Sequence, residues 1–458
     1  MDVLSFGDMK GTRLLQPVAS ASALSLQPLK ILQRRESMKR KVLILSVVFV
    51  FIGIICCVGP QSVFAKAPIK IGFIGALSTP YGASNKAVLD ISVQEINEAG
   101  GILGHPVELV TEDWKREVPL AVAAYKKLVM KDKCLLVFTE GTEGSTACAQ
   151  VATRLYSSYP HLQFTFWSAH EGLTDLVAND YEKYKFLFRV YPSTADTYNP
   201  KLQFVEFFKN TVGAKKLALL IEDIGWTEVY RKGKPGVYPT QKDYFEKNGI
   251  DVAYEQNTDI KEKMFLPILE KVAASGADTI YWITGYSDTI TIVKQWAQSA
   301  AKDLDLIFQS GACSYAAFWD MTSGQALGVG ATWPQIEIPF TDKSRPFFDK
   351  LRAKKAGMLA STYGAYDGLW ILKGAAEKAG GIDNIDDLIK ALETIEVQYG
   401  FWTWAFDKRH EPKKGYPYHP TVIGQFQKDG RYVLVHPPKL VQITNPDVKY
   451  MHVKDLRK

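Results

Sequence analysis

Residues 69–111 read IKIGFIGALSTPYGASNKAVLDISVQEINEAGGILGHPVELVT. The opening nonamer, 69–77, is apolar and β-branched, and Ser78, Thr79 and Pro80 close it. Over 83–99, Val88, Ile91, Ser92, Glu95 and Ile96 fall at helical spacing, and Gly100-Gly101 stop the helix. Residues 107–111 return as a second strand. Near-continuous apolar strands joined by a helix specify a parallel sheet covered on both faces, hence an α/β fold.

The alternation runs outward from there. Helices are predicted over 118–130 and 145–156, and strands over 135–138 and 163–167. The pattern pauses at 186–192 (FLFRVYP) and resumes with strands at 217–221, 252–254, 279–283 and 306–308, a second α/β lobe. After an extended stretch at 329–334, helices over 344–355, 363–379 and 385–394 have no strands between them and are expected to return to the first sheet. The tail reads as short strands at 401–406, 421–426 and 432–435, with Asp429-Gly430 as a hairpin turn. RKGKPGVYP at 231–239 reads as a flexible insertion.

Upstream, the apolar run 42–58 (VLILSVVFVFIGIICCV) follows Lys39-Arg40-Lys41 and precedes Gly59-Pro60 and the exit Val63-Phe64-Ala65. This describes a secretory signal peptide over 38–65, cleaved after Ala65, with an uncleaved membrane anchor as the alternative. Residues 1–37 read as an extension before a true start at Met38. The 458 residues carry a formal charge of +6, but the first 65 hold eight basic and three acidic residues, so the exported 393 carry +1. That near-neutrality argues against nucleic acid as partner. A composition of 47% hydrophobic and 23% charged residues excludes a disordered chain. Cys134, Cys148 and Cys313 remain after export; a local bridge between Cys134 and Cys148 is left open.

Four stretches together resemble the branched-chain amino-acid-binding (Leu/Ile/Val-type) proteins of ABC importers. They are the opening strand with Gly75, Leu77, Ser78 and Gly82; INEAGGILG at 96–104, then VEL and Glu112-Asp113; TYGAYD at 362–367; and Phe406-Asp407 with Gly424-Gln425-Phe426. The resemblance implies a type I periplasmic binding fold: two doubly wound Rossmann-like lobes, joined by three crossovers near 190–192, 331–334 and after 396. Lobe I would be 66–190 plus 335–400, and lobe II 191–334 plus 401–458. It also implies a ligand cleft between the lobes.

In open α/β sheets, ligands lie beyond the carboxyl ends of the strands, where helix N-termini offer free N–H groups. After the third strand comes TEGTEGST at 139–146. Its small residues let the backbone approach a ligand, and its hydroxyls can donate or cap the helix. There is no phosphate-loop lysine. The resemblance assigns this loop and the next to one end of the ligand: Glu143, Gly144, Ser145 and Thr146, then Trp167, Ser168 and Ala169. It matches Trp226 and Tyr286 to ligand-facing aromatics of the second lobe, and Tyr81 and Tyr315 are further cleft aromatics.

Two departures from the family pattern stand out. A Glu143 carboxylate facing the cleft would repel an anion and favour an amine; the alternative is that it points to solvent, the commoner fate of an isolated Glu. The acid expected to pair with a ligand ammonium is missing from Gln309-Ser310-Gly311-Ala312-Cys313. Either Glu143 or Asp288 replaces it, or the ligand is not an α-amino acid but an amide or aromatic solute.

The expected function is capture of a small molecule by a monomer that delivers it to a membrane permease, with no cofactor and no metal. The alternatives are a sensing receptor of the same fold and, third, an enzyme. Against the last, the seven histidines show no HExxH spacing, and there is neither CxxC nor GxSxG.

Overall fold

The computed structural model describes residues 66–458 apart from 312, 314–316, 333–335 and 360. The leader assignment at 1–65 and Tyr315 lie outside the described residues. Strands β1 (Ile69–Gly75), β2 (Val107–Asp113), β3 (Leu136–Glu140), β4 (Leu162–Phe166) and β5 (Leu187–Arg189) form a parallel sheet in the order β2-β1-β3-β4-β5. β5 occupies the stretch where the sequence pattern paused.

Five further strands are parallel, in the order β10-β9-β8-β6-β7: β6 (Lys216–Glu222), β7 (Asp251–Thr258), β8 (Thr279–Ile283), β9 (Asp305–Gln309) and β10 (Gly330–Thr332). β11 (Val397–Gln398) and β12 (Thr403–Trp404) form a separate antiparallel pair. β13 (Ile423–Phe426) and β14 (Tyr432–His436) extend the second sheet antiparallel, making it mixed.

The helices that matter here are α1 (Pro80–Glu98), α2 (Thr142–Leu155), α3 (Thr289–Gln298), α4 (Ser344–Ala353), α5 (Thr362–Ala379) and α6 (Ile385–Glu393). α4, α5 and α6 bury Phe347, Leu369 and Leu388 in the same core as β1 and β3. α6 shows why: Ile385, Leu388, Ile389 and Leu392 fall at i, i+3, i+4 and i+7, and all are buried. Each such side chain contributes about 1.5–3 kcal/mol when fully buried. α5 enters closely, since a Cβ on Gly364 would lie 1.7 Å from the Val190 carbonyl oxygen. A glycine at that position lets the helix seat on the first crossover.

The tail differs from expectation at 401–406. Phe401, Trp402, Trp404 and Phe406 join the first core rather than the second. Asp367 on α5 draws them there, accepting from Trp404 Nε1 at 2.7 Å and Gly400 N at 2.8 Å. The three cysteines are free and buried. Cys148 Sγ approaches Ala121 O at 3.6 Å, whereas Cys134 Sγ faces Gly72 of β1, so the two thiols point to different neighbours. No helix among the described residues is long and apolar enough to cross a membrane.

Candidate solute-binding cleft

The carboxyl ends of both sheets converge on one cavity of about 670 Å³, part of it open to solvent. From the first sheet come Tyr81, Thr142, Glu143, Trp167, Ala169 and Tyr191, with Leu359 and Ser361 from the approach to α5. Trp226, Thr284, Gly285, Tyr286, Gln309, Ser310 and Gly311 come from the second.

Aromatic rings dominate the walls. Tyr81 and Trp167 stack at 4.8 Å and 15°, and Trp167 stacks on Tyr286 of the opposite sheet at 6.3 Å and 28°. Trp167 sits at φ +51°, a left-handed conformation that costs a bulky residue about 1–2 kcal/mol. Its ring contacts on both sides offset that cost. Arg116, exposed on the loop after β2, lies 5.2–6.0 Å from the ring centres of Trp167, Tyr286 and Tyr81.

Two fully buried carboxylates stand behind the walls. Glu222, at the end of β6, accepts from Thr284 Oγ1 at 2.6 Å and from the backbone N–H groups of Gly285, Tyr286 and Ser287, each at 3.0 Å. The Ser287 hydroxyl adds a further bond at 3.0 Å. This one side chain therefore shapes the loop that carries Tyr286. Among the described residues Glu140, at the end of β3, receives only Asn85 Nδ2 at 3.1 Å and Ala76 N at 3.4 Å. Burial pushes its carboxyl up to about 7, against the pull of those bonds and of Arg116. Asn85 in turn accepts from Ser361 Oγ at 2.6 Å, linking Glu140 to the cavity wall.

The candidates from the sequence divide. Tyr81, Glu143, Trp167, Ala169, Trp226 and Tyr286 line the cavity. Gly144, Ser145 and Thr146 do not. A Cβ on Gly144 would meet the Trp114 ring at 3.0 Å, so the small residues of this loop admit an indole rather than a ligand. Ser145 Oγ accepts from Thr165 Oγ1 at 2.9 Å, and Thr146 Oγ1 donates to Thr142 O at 2.7 Å. Ser168 is buried between two lining residues, and its Oγ has no hydrogen-bond partner among the described residues.

Asp288 caps α3, accepting from Thr291 N at 3.1 Å, and is not a lining residue. Gln309 lines the cavity where the family pattern led one to expect an acid. Tyr281 OH donates to its Oε1, and its Nε2 donates to Tyr230 OH at 2.5 Å. Thr284 and Gly285 adjoin Tyr286 and were within reach of the sequence reading. Tyr191, Leu359 and Ser361 follow no cleft-facing loop pattern, and only the packing of α5 against the first crossover brings them in.

A fold with these two sheets and this cleft is the type I periplasmic binding fold. The chain belongs to the periplasmic binding protein family, whose profile matches residues 68–431. It is similar to Leu/Ile/Val-binding protein homolog 7 of Brucella abortus, at 21% identity over 391 residues, 81% of this chain and 92% of the relative. Among solved structures it resembles a branched-chain amino acid transporter substrate-binding protein of Streptococcus pneumoniae in complex with isoleucine (TM-score 0.62, 20% identity, 81% of this chain and 100% of that one). It also resembles an ABC transporter solute-binding protein of R. palustris in complex with 4-hydroxybenzoate (TM-score 0.65, 20% identity, 81% and 96%).

Proposed function

We propose that the protein is the extracytoplasmic solute-binding component of an ABC importer. It captures a small organic solute, a branched-chain amino acid or a related amide or aromatic compound, between its lobes and hands it to a membrane permease. The observation that carries this reading is the cavity itself, walled by Trp167 from one sheet and Tyr286 from the other at 6.3 Å. A solute held by both walls stabilises the closed arrangement and shifts the population toward it. Tyr81, Glu143, Trp167, Ser168, Ala169, Trp226 and Tyr286 are the proposed contacts. The cavity offers rings, hydroxyls and a carboxylate to a bound solute.

Thermal-shift and calorimetric screening against amino acids, amides and aromatic acids tests this. Stabilisation by at least one class, rising with solute concentration, is expected. Failure of every class to bind would remove the reading. Export through a signal peptide over 38–65 is part of the same proposal, and N-terminal sequencing of the secreted protein should begin at Lys66.

A further inference from the structure

We infer that the cleft is built for a solute with a cationic head, an amine or a quaternary ammonium, and that Glu143 is the counter-ion that selects it. The inference rests on the solute-binding reading above and specifies its ligand.

Among the described lining residues Glu143 is the one side chain with a formal charge. Its carboxylate makes no hydrogen bond or ion pair among the described residues. It reaches across toward the second lobe: Glu143 Oε1 lies 3.8 Å from where a Cβ on Gly225 would stand. Burial, with the Glu143 charge next in size, holds the Tyr286 phenol well above its ordinary range.

Glu143 also occupies the first turn of α2, where the helix dipole favours a carboxylate. An anionic ligand would seek that same end and meets a like charge there. On the opposite wall the carboxamide of Gln309 is neutral and held by Tyr281 and Tyr230. It offers an anion no cation.

The rings complete the argument. A cation is attracted to the faces of Tyr and Trp within about 6 Å of the ring centre. Tyr81, Trp167 and Tyr286 already hold a guanidinium, that of exposed Arg116, at 5.2–6.0 Å. An aromatic cavity with one unpaired, solvent-exposed carboxylate at its rim offers the same attraction to a solute. An anionic substituent on that solute would be drawn to Arg116.

The test uses three probes of nearly equal shape: tyramine, 4-ethylphenol and 4-hydroxyphenylacetate, titrated calorimetrically into wild type and Glu143→Gln. Tyramine should bind at least about tenfold more tightly than 4-hydroxyphenylacetate, with 4-ethylphenol between them. Glu143→Gln should erase that order while melting close to the wild type, because its carboxylate makes no hydrogen bond or ion pair among the described residues and loses only the small first-turn dipole contribution. Equal or tighter binding of 4-hydroxyphenylacetate overturns the inference and leaves the solute-binding reading standing. So does tyramine affinity unchanged within twofold in Glu143→Gln, or a cleft that binds another solute and none of the three. Failure to bind any solute at all overturns both.

Discussion

Removing the Glu222 carboxylate tests whether the wall bearing Tyr286 is shaped by one buried side chain. Five donors converge on Oε2: the Thr284 hydroxyl at 2.6 Å, three backbone N–H groups and the Ser287 hydroxyl, each at 3.0 Å. Oε1 receives only a second, longer approach of Tyr286 N at 3.2 Å. In Glu222→Gln the amide oxygen can take the place of Oε2 and keep its five donors, while the NH2 in place of Oε1 loses the longer approach of Tyr286 N together with the charge. Hydrogen bonds to an ionised acceptor are roughly twice as strong as neutral ones, so the loss is about 1–2 kcal/mol. In Glu222→Ala all five donors lose their acceptor, two of them on side chains that are buried. At about 1 kcal/mol per bond, less the desolvation recovered by deleting a buried charge, the cost is about 3–5 kcal/mol. Urea unfolding measures both variants, and calorimetry reads solute affinity through the position of Tyr286. An alanine variant within about 1 kcal/mol of wild type, with unchanged solute affinity, would refute the reasoning. So would a glutamine variant as damaged as the alanine one.

Glu140 should make stability depend on pH. Its carboxyl is near 7 when folded against an ordinary 4.5, so the folded state holds a proton that the unfolded state has released. That contribution is full below about 4.5 and is lost as pH rises through about 7, a change of about 3 kcal/mol. Glu140→Gln should therefore gain on the wild type between pH 4.5 and 8 in urea titrations, and parallel curves would count against it. Gly364→Ala sets a Cβ 1.7 Å from a backbone oxygen and should cost at least about 3 kcal/mol by thermal unfolding, whereas Gly381→Ala, with nothing within 4 Å, should be nearly silent. Tyr286→Ala, at a partly exposed ring, should weaken solute binding at least about tenfold with little change in melting temperature. Equal affinity would remove Tyr286 from the site.

Periodicity carried most of the architecture. Apolar runs such as 69–77 and the i, i+3, i+4 spacing over 83–99 are local properties, because a strand or helix must match its pattern to the faces it buries. β5 was missed because three residues, Leu187–Arg189, are too few to show a period. The return of 401–406 to the first core depended on Asp367, thirty-odd positions away. The site was half legible. Loop residues directly after strands, Trp167, Trp226 and Tyr286, could be placed by the rule that parallel sheets bind at their carboxyl ends. Gly144 could not, because the indole that fills its missing side chain belongs to Trp114, on another loop.

By itself, the sequence determined the two alternating α/β lobes and the strand-end loops, and only the family resemblance marked Gln309 as the place of a missing acid. Those follow from neighbours in the chain and from residue chemistry. Only the tertiary structure decided that Glu143 faces the second lobe while Asp288 caps a helix, and that the pairs Glu140–Asn85 and Glu222–Ser287 brace opposite walls. Whether a carboxylate faces a ligand, a helix end or a backbone amide depends on groups far away in sequence, and folding alone brings them within hydrogen-bonding distance.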